Sequence, residues 1–343
     1  MIKTYLDLSD IEFTARINAL DKNITQCALC NFACKINRSK GQTGVCGATD
    51  ELYIINYGLH GGAGPYLKEI PRPQGIIFFP FCNASCVFCQ SYQISQNQVL
   101  GRKISIEQLT DIMLELQEKN CTIIDLVSPT HYVPMIAKAI YLGKKRGLKA
   151  TFAYNTNSYD RVETLKLLKD IIKIYLPDIK FANNDTAKKY TRLPKYWDAA
   201  RAGIKEMFRQ VRVMQIDEAG NLQGIEIRHL LMPNHISEAK KIIDFVESLS
   251  PASYLYIMAQ YNPIYKASEF AEINRPISEA EYTEICDYIA KKQMLKTKFI
   301  GFGFSSQMAP DFSLENPFPE DWFIPGDMMA NLPLVSVLRH AKK

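Results

Sequence analysis

The sequence predicts an α/β protein whose parallel strands form a partial or complete βα barrel of the TIM type. Short apolar runs alternate with amphipathic helical stretches along most of the 343 residues, which is typical of parallel strands joined by right-handed crossovers. The composition, 47% hydrophobic, suffices for a large buried core. A doubly wound open sheet is the alternative, because the order of strands in a sheet cannot be read from this pattern.

The strands and helices follow from the spacing of apolar residues. Ser105 and Gln108 form a capping box ahead of one helix, and another helix starts at Pro134 and is closed by Gly147. Four further helices show one apolar and one charged face, at 162–168, 199–211, 239–249 and 282–294. The strands are predicted at 75–79, 121–127, 150–154, 171–176, 225–231 and 254–258.

Three cysteines directly after the first predicted strand form the strongest functional motif. Cys82, Cys86 and Cys89 have the spacing C-x3-C-x2-C and lie in the loop where a βα barrel keeps its active site. A [4Fe-4S] cluster normally takes four protein thiolates, so three leave one iron open to a ligand. A metal with an open position can do chemistry, whereas a closed one serves structure or electron transfer.

Four more cysteines predict a second metal site near the amino terminus. Cys27, Cys30, Cys34 and Cys46 have the spacing C-x2-C-x3-C-x11-C, which supplies four soft ligands for zinc or for a second [4Fe-4S] cluster. Structural zinc usually takes paired C-x2-C knuckles, so the crowding of three ligands favours iron–sulfur. Glycines surround the last ligand and are expected to turn backbone amides toward sulfur, at positions 41, 44 and 47.

The remaining composition limits the class of protein. Basic residues number 41 and acidic residues 36, interleaved along the chain with a net charge of +5, so we expect no nucleic-acid partner. The amino terminus lacks an apolar signal core, and no uninterrupted apolar run approaches 18 residues, so we expect a cytoplasmic protein without a membrane partner. Cys121 and Cys286 lie in apolar segments and are predicted to be buried thiols.

Several motifs together resemble the pyruvate formate-lyase activating-enzyme-like branch of the radical SAM superfamily over about residues 25–295. The first is the cluster loop, FFPFCNASCVFCQSYQIS, at 78–95. The others end or follow predicted strands: SPTHY at 128–132, YNTNSY at 154–159, YLPDIK at 175–180, IRHLLMP at 227–233 and MAQY at 258–261. Their polar residues would converge at the carboxyl rim of the barrel, around the open iron.

The resemblance implies an oxidoreductase that binds S-adenosylmethionine (SAM) at the open iron and cleaves it reductively to a 5'-deoxyadenosyl radical, which abstracts hydrogen from a substrate. It also implies an electron donor such as a flavodoxin or a ferredoxin. By this resemblance Phe88 lies beside the adenine, Asn157, Asp178 and Lys180 border SAM, and Arg228 lies near its carboxylate.

Simpler interpretations of these residues remain open. Phe88 fits core packing equally well, and Asp178 with Lys180 could form a surface ion pair. His131, His229 and Gln260 could contact substrate or belong to the scaffold. An arginine in an apolar strand, as at position 228, must find an anion to offset its desolvation.

The chain departs from the activating enzymes in three places. They carry a Gly-Gly-Glu turn for the SAM amino group after the second strand, where this chain has SPTHY, so that contact is unassigned. The four-cysteine start and the residues beyond 298 have no counterpart. We therefore expect a cysteine-rich, metal-binding segment at 1–73, a barrel at 74–304 and a loop-rich tail at 305–343. Aromatic residues in the tail argue that it packs on the barrel, at 312, 318, 322 and 323.

Two substrate classes fit this sequence. One is a glycyl residue of a partner protein, and the other is a small molecule enclosed beneath the tail. A third hypothesis, an iron–sulfur electron carrier that uses no SAM, needs a fourth cluster ligand such as His60 or Asp125.

Overall fold

The computed structural model describes residues 2–60, 73–96, 100–217, 222–292 and 296–300, together with Phe312. The described helices are α1 (Asp10–Thr25), α2 (Tyr92–Ser95), α3 (Ile106–Glu118), α4 (Val133–Lys145), α5 (Val162–Leu167), α6 (Asn184–Thr191), α7 (Tyr196–Val211), α8 (Ala239–Leu249) and α9 (Glu279–Ala290). The described strands are β1 (Leu52–Ile54), β2 (Asn56–His60), β3 (Gln74–Phe78), β4 (Arg102–Ile104), β5 (Ile123–Val127), β6 (Thr151–Thr156), β7 (Ile174–Pro177), β8 (Gln215–Ile216), β9 (Leu222–Leu230), β10 (Tyr254–Met258) and β11 (Lys296–Ile300).

The main sheet places its parallel strands in chain order, β3-β5-β6-β7-β9-β10-β11. A doubly wound sheet would reverse direction at a switch point, so this alternative is wrong. Right-handed crossovers between strands added in one direction place the helices on one face. Within the described ranges β2 and β11 are the two edges, and the sheet is an open, partial barrel.

Two antiparallel additions complete the sheet. Strand β2 pairs with β3 at one edge, and β8 pairs with β9. Strands β1 and β4 form a separate two-stranded sheet. Strand β2 thus brings residues from before position 74 into the main sheet.

The register of the sheet separates an outer core from an inner face. On β5, Ile124 and Leu126 belong to the core shared with the helices, whereas Ile123 belongs to a smaller apolar cluster. Because side chains alternate along a strand, Asp125 shares its face with Ile123. This polar residue stands opposite Ile76 of β3 and Ala153 of β6.

The amino-terminal helix α1 joins the same core as the sheet. It starts at a capping box of Ser9 and Glu12 and buries Phe13, Ile17 and Leu20. These spacings of four and three residues make one apolar stripe. This helix is not among those predicted from the sequence.

The predicted strands and helices are present, with shifted ends. The strand predicted at 171–176 starts at Ile174, because Ile171 and Ile172 donate to the Leu168 carbonyl in a turn. Helix α9 ends at Ala290, and the predicted end at Met294 lies outside the described residues.

The two isolated cysteines differ in burial. Cys121 is buried as predicted. The prediction for Cys286 is wrong, because it is partly exposed on α9, where Ile285 and Ile289 make the buried contacts.

Across the described ranges, no helix is both long enough and apolar enough to span a membrane. The tail at 305–343 lies outside the described residues except for Phe312. That residue is buried, its ring centroid lies 5.7 Å from that of Phe78, and its N–H donates to Gln93 Oε1 at 2.8 Å.

Candidate active site

The loop after β3 carries Cys82, Cys86 and Cys89 at the carboxyl edge of the sheet. It is tied to the end of α6, because the Ser85 N–H donates to the Thr191 carbonyl at 2.9 Å. The predicted position of the three cysteines at the end of the first parallel strand is therefore observed.

Burial raises the pKa of all three thiols, to about 11 for Cys82. The positive charge of Lys180 acts in the opposite direction on each of them. Without metal these thiols are neutral at pH 7, and iron must displace their protons because the thiolate is the ligand. Lys180 offsets part of the negative charge that three bound thiolates would bring to the site.

The three thiols suit a cluster better than a single ion. In the part of the chain that the structure describes, no three His, Cys, Asp or Glu side chains converge as ligands of one metal ion. In a cubane each thiolate binds a different iron, so the thiols surround the cluster instead of one point. Hydrogen-bond donors already face two of the sulfurs: the Ala84 N–H lies 3.4 Å from Cys82 Sγ and the Ser95 hydroxyl 3.3 Å from Cys89 Sγ.

Asn157 contacts this loop from the end of β6. Its Nδ2 lies 3.5 Å from Cys82 Sγ and donates to Asn83 Oδ1 at 2.6 Å. Its backbone carbonyl accepts from the Tyr196 hydroxyl at 3.0 Å. The side chain is thus fixed against the first cysteine of the motif.

Asp178, Lys180 and Arg228 form one ion-paired group beside the cysteines. Lys180 Nζ donates to Asp178 Oδ2 at 3.1 Å, and Arg228 Nε donates to Asp178 Oδ1 at 2.8 Å. Burial raises the pKa of Asp178, but the charges of Arg228 and Lys180 outweigh it and hold the pKa below its ordinary value. The exposed fractions of the three side chains are 22%, 19% and 11%, so this is not the surface ion pair considered as the alternative.

Hydrogen bonds extend this ion-paired group inward across the sheet. Arg228 Nη2 donates to Asn155 Oδ1, and Asn155 Nδ2 donates to Asp125 Oδ2 at 3.2 Å. Burial raises the pKa of Asp125 to about 6, and its Oδ1 has no hydrogen-bond partner among the described residues. A polar path therefore leads from the cysteine loop to the inner face of the barrel.

The amino-terminal cysteines lie in a compact turn. The Lys35 N–H donates to the Cys27 carbonyl at 2.8 Å, and the Ala33 N–H donates to the Cys30 carbonyl at 3.0 Å. Both donors have positive φ, 55° and 43°, a conformation that folds the chain back sharply.

The four thiols of this turn are close enough to affect one another. Burial raises the pKa of Cys30 to about 12 and also that of Cys46. Cys46 interacts electrostatically with Cys27, Cys30 and Cys34. The four thiols are thus near one another, but within the described ranges no three of them converge as ligands of one metal ion. Soft sulfur donors suit zinc or an iron–sulfur cluster, and the second metal site stays a prediction.

Comparison with known proteins decides the family of the central part. Residues 76–246 match the model of the radical SAM superfamily. The chain carries a radical SAM domain. The match includes the three loop cysteines and the polar group at 157, 178, 180 and 228.

Relatives over most of the chain occur in an archaeon. The uncharacterized proteins MJ0674 and MJ0808 of Methanocaldococcus jannaschii are 29% identical over 301 residues and 24% identical over 306 residues. The first match covers 83% of this chain and 82% of the relative, and the second covers 82% of each.

Solved structures that are similar to part of this chain have low sequence identity and low TM-scores. Streptococcus suis SuiB bound to the precursor peptide SuiA is 14% identical with a TM-score of 0.47, covering 66% of this chain and 48% of that one. A domain of the pyruvate-formate lyase-activating enzyme from Bacteroides vulgatus is 14% identical with a TM-score of 0.33, covering 57% and 91%. This chain thus spans about half the length of SuiB.

Two histidines of the radical SAM domain serve its scaffold. His131 Nε2 donates to the Pro80 carbonyl at 2.8 Å, and His229 Nδ1 donates to the Ile179 carbonyl at 2.7 Å. Burial lowers the pKa of His131 to about 3 and of His229 to about 4. Both rings are therefore neutral at pH 7. His131 holds the cluster loop in place, and His229 holds the residues that follow strand β7.

Phe88 lies in an aromatic cluster of the radical SAM domain. It is 6% exposed, and its ring centroid is 6.0 Å from those of Phe181 and Tyr261. These contacts account for it as a core residue, and the adenine contact stays a prediction.

Three site residues of the radical SAM domain were missed from sequence: Asn83, Asn155 and Tyr196. The Tyr196 hydroxyl donates to the Asp178 carbonyl at 2.9 Å and accepts from the Lys180 N–H at 2.9 Å. Asn83 lies inside the cysteine motif and Asn155 inside the YNTNSY run. The sequence therefore indicated the motifs that contain them, but it could not indicate their hydrogen-bond partners, which are distant in sequence.

Proposed function

We propose that this chain is a radical SAM enzyme with a [4Fe-4S] cluster on Cys82, Cys86 and Cys89. When bound, the cluster and SAM supply a 5'-deoxyadenosyl radical after one-electron reduction. The observation that supports this function best is the group of three cysteines at the carboxyl edge of the sheet, of which Cys86 is buried and the other two are partly buried. Asn157 contacts the first of them, and the charge of Lys180 acts on all three. A substrate would give up a hydrogen atom to that radical.

The SAM site in this proposal consists of Phe88, Asn157, Asp178, Lys180 and Arg228. Asp178 fixes the guanidinium of Arg228 through Nε, and a guanidinium in a fixed orientation suits the SAM carboxylate. Lys180 keeps its positive charge because Asp178 outweighs the effect of burial, so the pKa of Lys180 stays above its ordinary value.

The proposal includes a second metal site at Cys27, Cys30, Cys34 and Cys46, with iron–sulfur favoured over zinc. A cytoplasmic flavodoxin or ferredoxin is the proposed electron donor. The hypothesis of an electron carrier without SAM needs a fourth ligand for the cluster. It is less well supported, because the suggested ligand Asp125 is hydrogen-bonded to Asn155 on the inner face of the sheet.

The direct test is SAM cleavage by anaerobically reconstituted protein with dithionite as reductant. We expect 5'-deoxyadenosine from the wild type and none from a variant with Cys82, Cys86 and Cys89 changed to Ala. Cys121→Ala, at a buried cysteine outside both groups, is the control and should keep the activity. No deoxyadenosine from a fully iron-loaded wild type would contradict the proposal.

Two substrate classes are carried into the proposal: a glycyl residue of a partner protein, and a small molecule. A chain that lacks residues 305–343 distinguishes them once a substrate is found. Loss of turnover of a small molecule with the cluster intact supports enclosure by the tail. Retained turnover of a partner protein, read as an EPR-detected glycyl radical, supports the open site.

A further inference from the structure

The amino-terminal cysteine site contains a buried positive charge. Arg38 is 1% exposed, and its Nη1 and Nε donate to the carbonyls of His131 at 2.6 Å and Thr49 at 3.0 Å. No carboxylate among the described residues forms an ion pair with it, and it lies between Cys34 and Cys46 in the chain. A buried guanidinium with neutral partners is costly unless an anion lies nearby, and four metal-bound thiolates supply one.

The same site touches the catalytic cysteine loop through Asn83. This side chain is 4% exposed, and its Oδ1 accepts from Asn157, whose amide also faces Cys82 Sγ. Its buried Nδ2 has no hydrogen-bond partner among the described residues. Asn83 therefore binds Asn157 through Oδ1 and keeps a buried donor that could serve a sulfur atom of a bound cluster.

A second contact joins the two sites. A Cβ placed on Gly47, next to Cys46, would lie 3.4 Å from the ring of Phe81, next to Cys82. The Asn31 N–H, beside Cys30, donates to the Tyr159 carbonyl at 3.0 Å in the loop after β6. The four-cysteine turn thus packs directly on the loops that carry the catalytic thiols and Asn157.

We propose that Cys27, Cys30, Cys34 and Cys46 hold a redox-active iron–sulfur cluster in electronic contact with the catalytic one, with Asn83 between them and Arg38 offsetting the negative charge. The inference rests on the proposed function of the Cys82 loop. One electron enters at the four-cysteine site from an external one-electron donor and passes to the Cys82 loop. No bond is made or broken in this transfer.

The experiment uses the full chain, reconstituted anaerobically, with iron and zinc analysis and EPR after dithionite reduction. The variant with Cys82, Cys86 and Cys89 changed to Ala should retain about four irons per chain at the amino-terminal site. In the reduced wild type we expect EPR signals broadened by magnetic interaction between two clusters. The triple variant should show the unbroadened EPR signal of a single cluster.

Asn83→Leu tests the bridging side chain. Because hydrogen bonds to sulfur raise the reduction potential of a cluster, the variant should shift the equilibrium of the four-cysteine site toward the oxidised form. We expect about tenfold, which is about 59 mV for a one-electron couple. Ser85→Ala, in the same loop, is the matched control and should leave the potential unchanged. Asn83→Ser replaces the leucine variant if that one fails to load iron.

The outcomes separate this inference from the proposed function. Zinc without iron in the triple variant, or an Asn83→Leu potential equal to that of wild type, would overturn the inference even if wild type makes deoxyadenosine. Interacting clusters in a protein that never cleaves SAM would uphold the inference and contradict the proposed function.

Discussion

Lys180 is the residue whose positive charge acts on each of the three catalytic thiols in the part of the chain that the structure describes. We expect Lys180→Met to weaken iron binding or SAM cleavage by about 10- to 100-fold, the usual effect of losing a group that supports metal ligands. Iron retained after a chelator challenge and the rate of deoxyadenosine formation measure it. Lys188→Met, at an exposed lysine of α6, is the control, and equal losses in both variants would contradict the prediction.

Asp125 should make stability depend on pH. Its folded pKa of about 6 lies above the ordinary value, so the folded state holds the proton more tightly and the contribution of Asp125 to stability is greatest at low pH. As pH rises from about 4 to 6 this contribution to the unfolding free energy should fall by about 3 kcal/mol and then level off. Asp125→Asn should remove this fall, and urea unfolding at several pH values measures it. Asp111→Asn, at an exposed residue, should keep the wild-type pH profile.

At the level of elements, local patterns predicted the parallel strands and the cysteine loop because each is a contiguous run. Helix α1 could have been predicted from its capping box and from the apolar stripe of Phe13, Ile17 and Leu20, but it was not. Strand β2 had none, because Asn56, Gly58 and His60 are poor strand formers, and pairing with β3 determines its structure. The pair of Asn83 and Asn157 joins two loops 74 residues apart in sequence, and such a pair has no local pattern.

The turn that carries the amino-terminal cysteines depends on a glycine for close approach. A Cβ on Gly44 would lie 2.8 Å from Cys34 Sγ, nearer than a side chain normally approaches. We expect Gly44→Ala to lower the iron content toward about four per chain, that of the catalytic cluster alone, with SAM cleavage by external reductant retained. Iron analysis measures the change.

Gly41→Ala is the control for that prediction. Its Cβ would meet no atom within 4 Å, and its φ of +71° is the only strain, about 1–2 kcal/mol for an L-residue. It should keep the metal at a modest cost in stability. Equal iron loss in both variants would show that backbone strain, and not contact with Cys34, governs the site.

Over the whole molecule, the amino-terminal residues and the barrel share one apolar core. The core cluster that contains Phe13 and Leu20 of α1 also contains Ile124 and Leu126 of β5 and Ile227 of β9. Cysteines of both sites pack against this core, among them Cys30 and Cys82. A core common to both predicts that neither part unfolds before the other.

Phe13→Ala tests this common core. Phe13 is fully buried and its ring centroid lies 5.2 Å from that of Tyr141 on α4, so the truncation should cost about 3–5 kcal/mol. We expect one cooperative urea transition, shifted equally when followed by far-UV circular dichroism and by tryptophan fluorescence. Ile11→Ala, on the same helix but 82% exposed, should change stability by less than about 0.5 kcal/mol. Separate transitions for the two probes in Phe13→Ala would mean that the amino-terminal segment unfolds independently, and the cysteine sites would then sit at a hinge between two units.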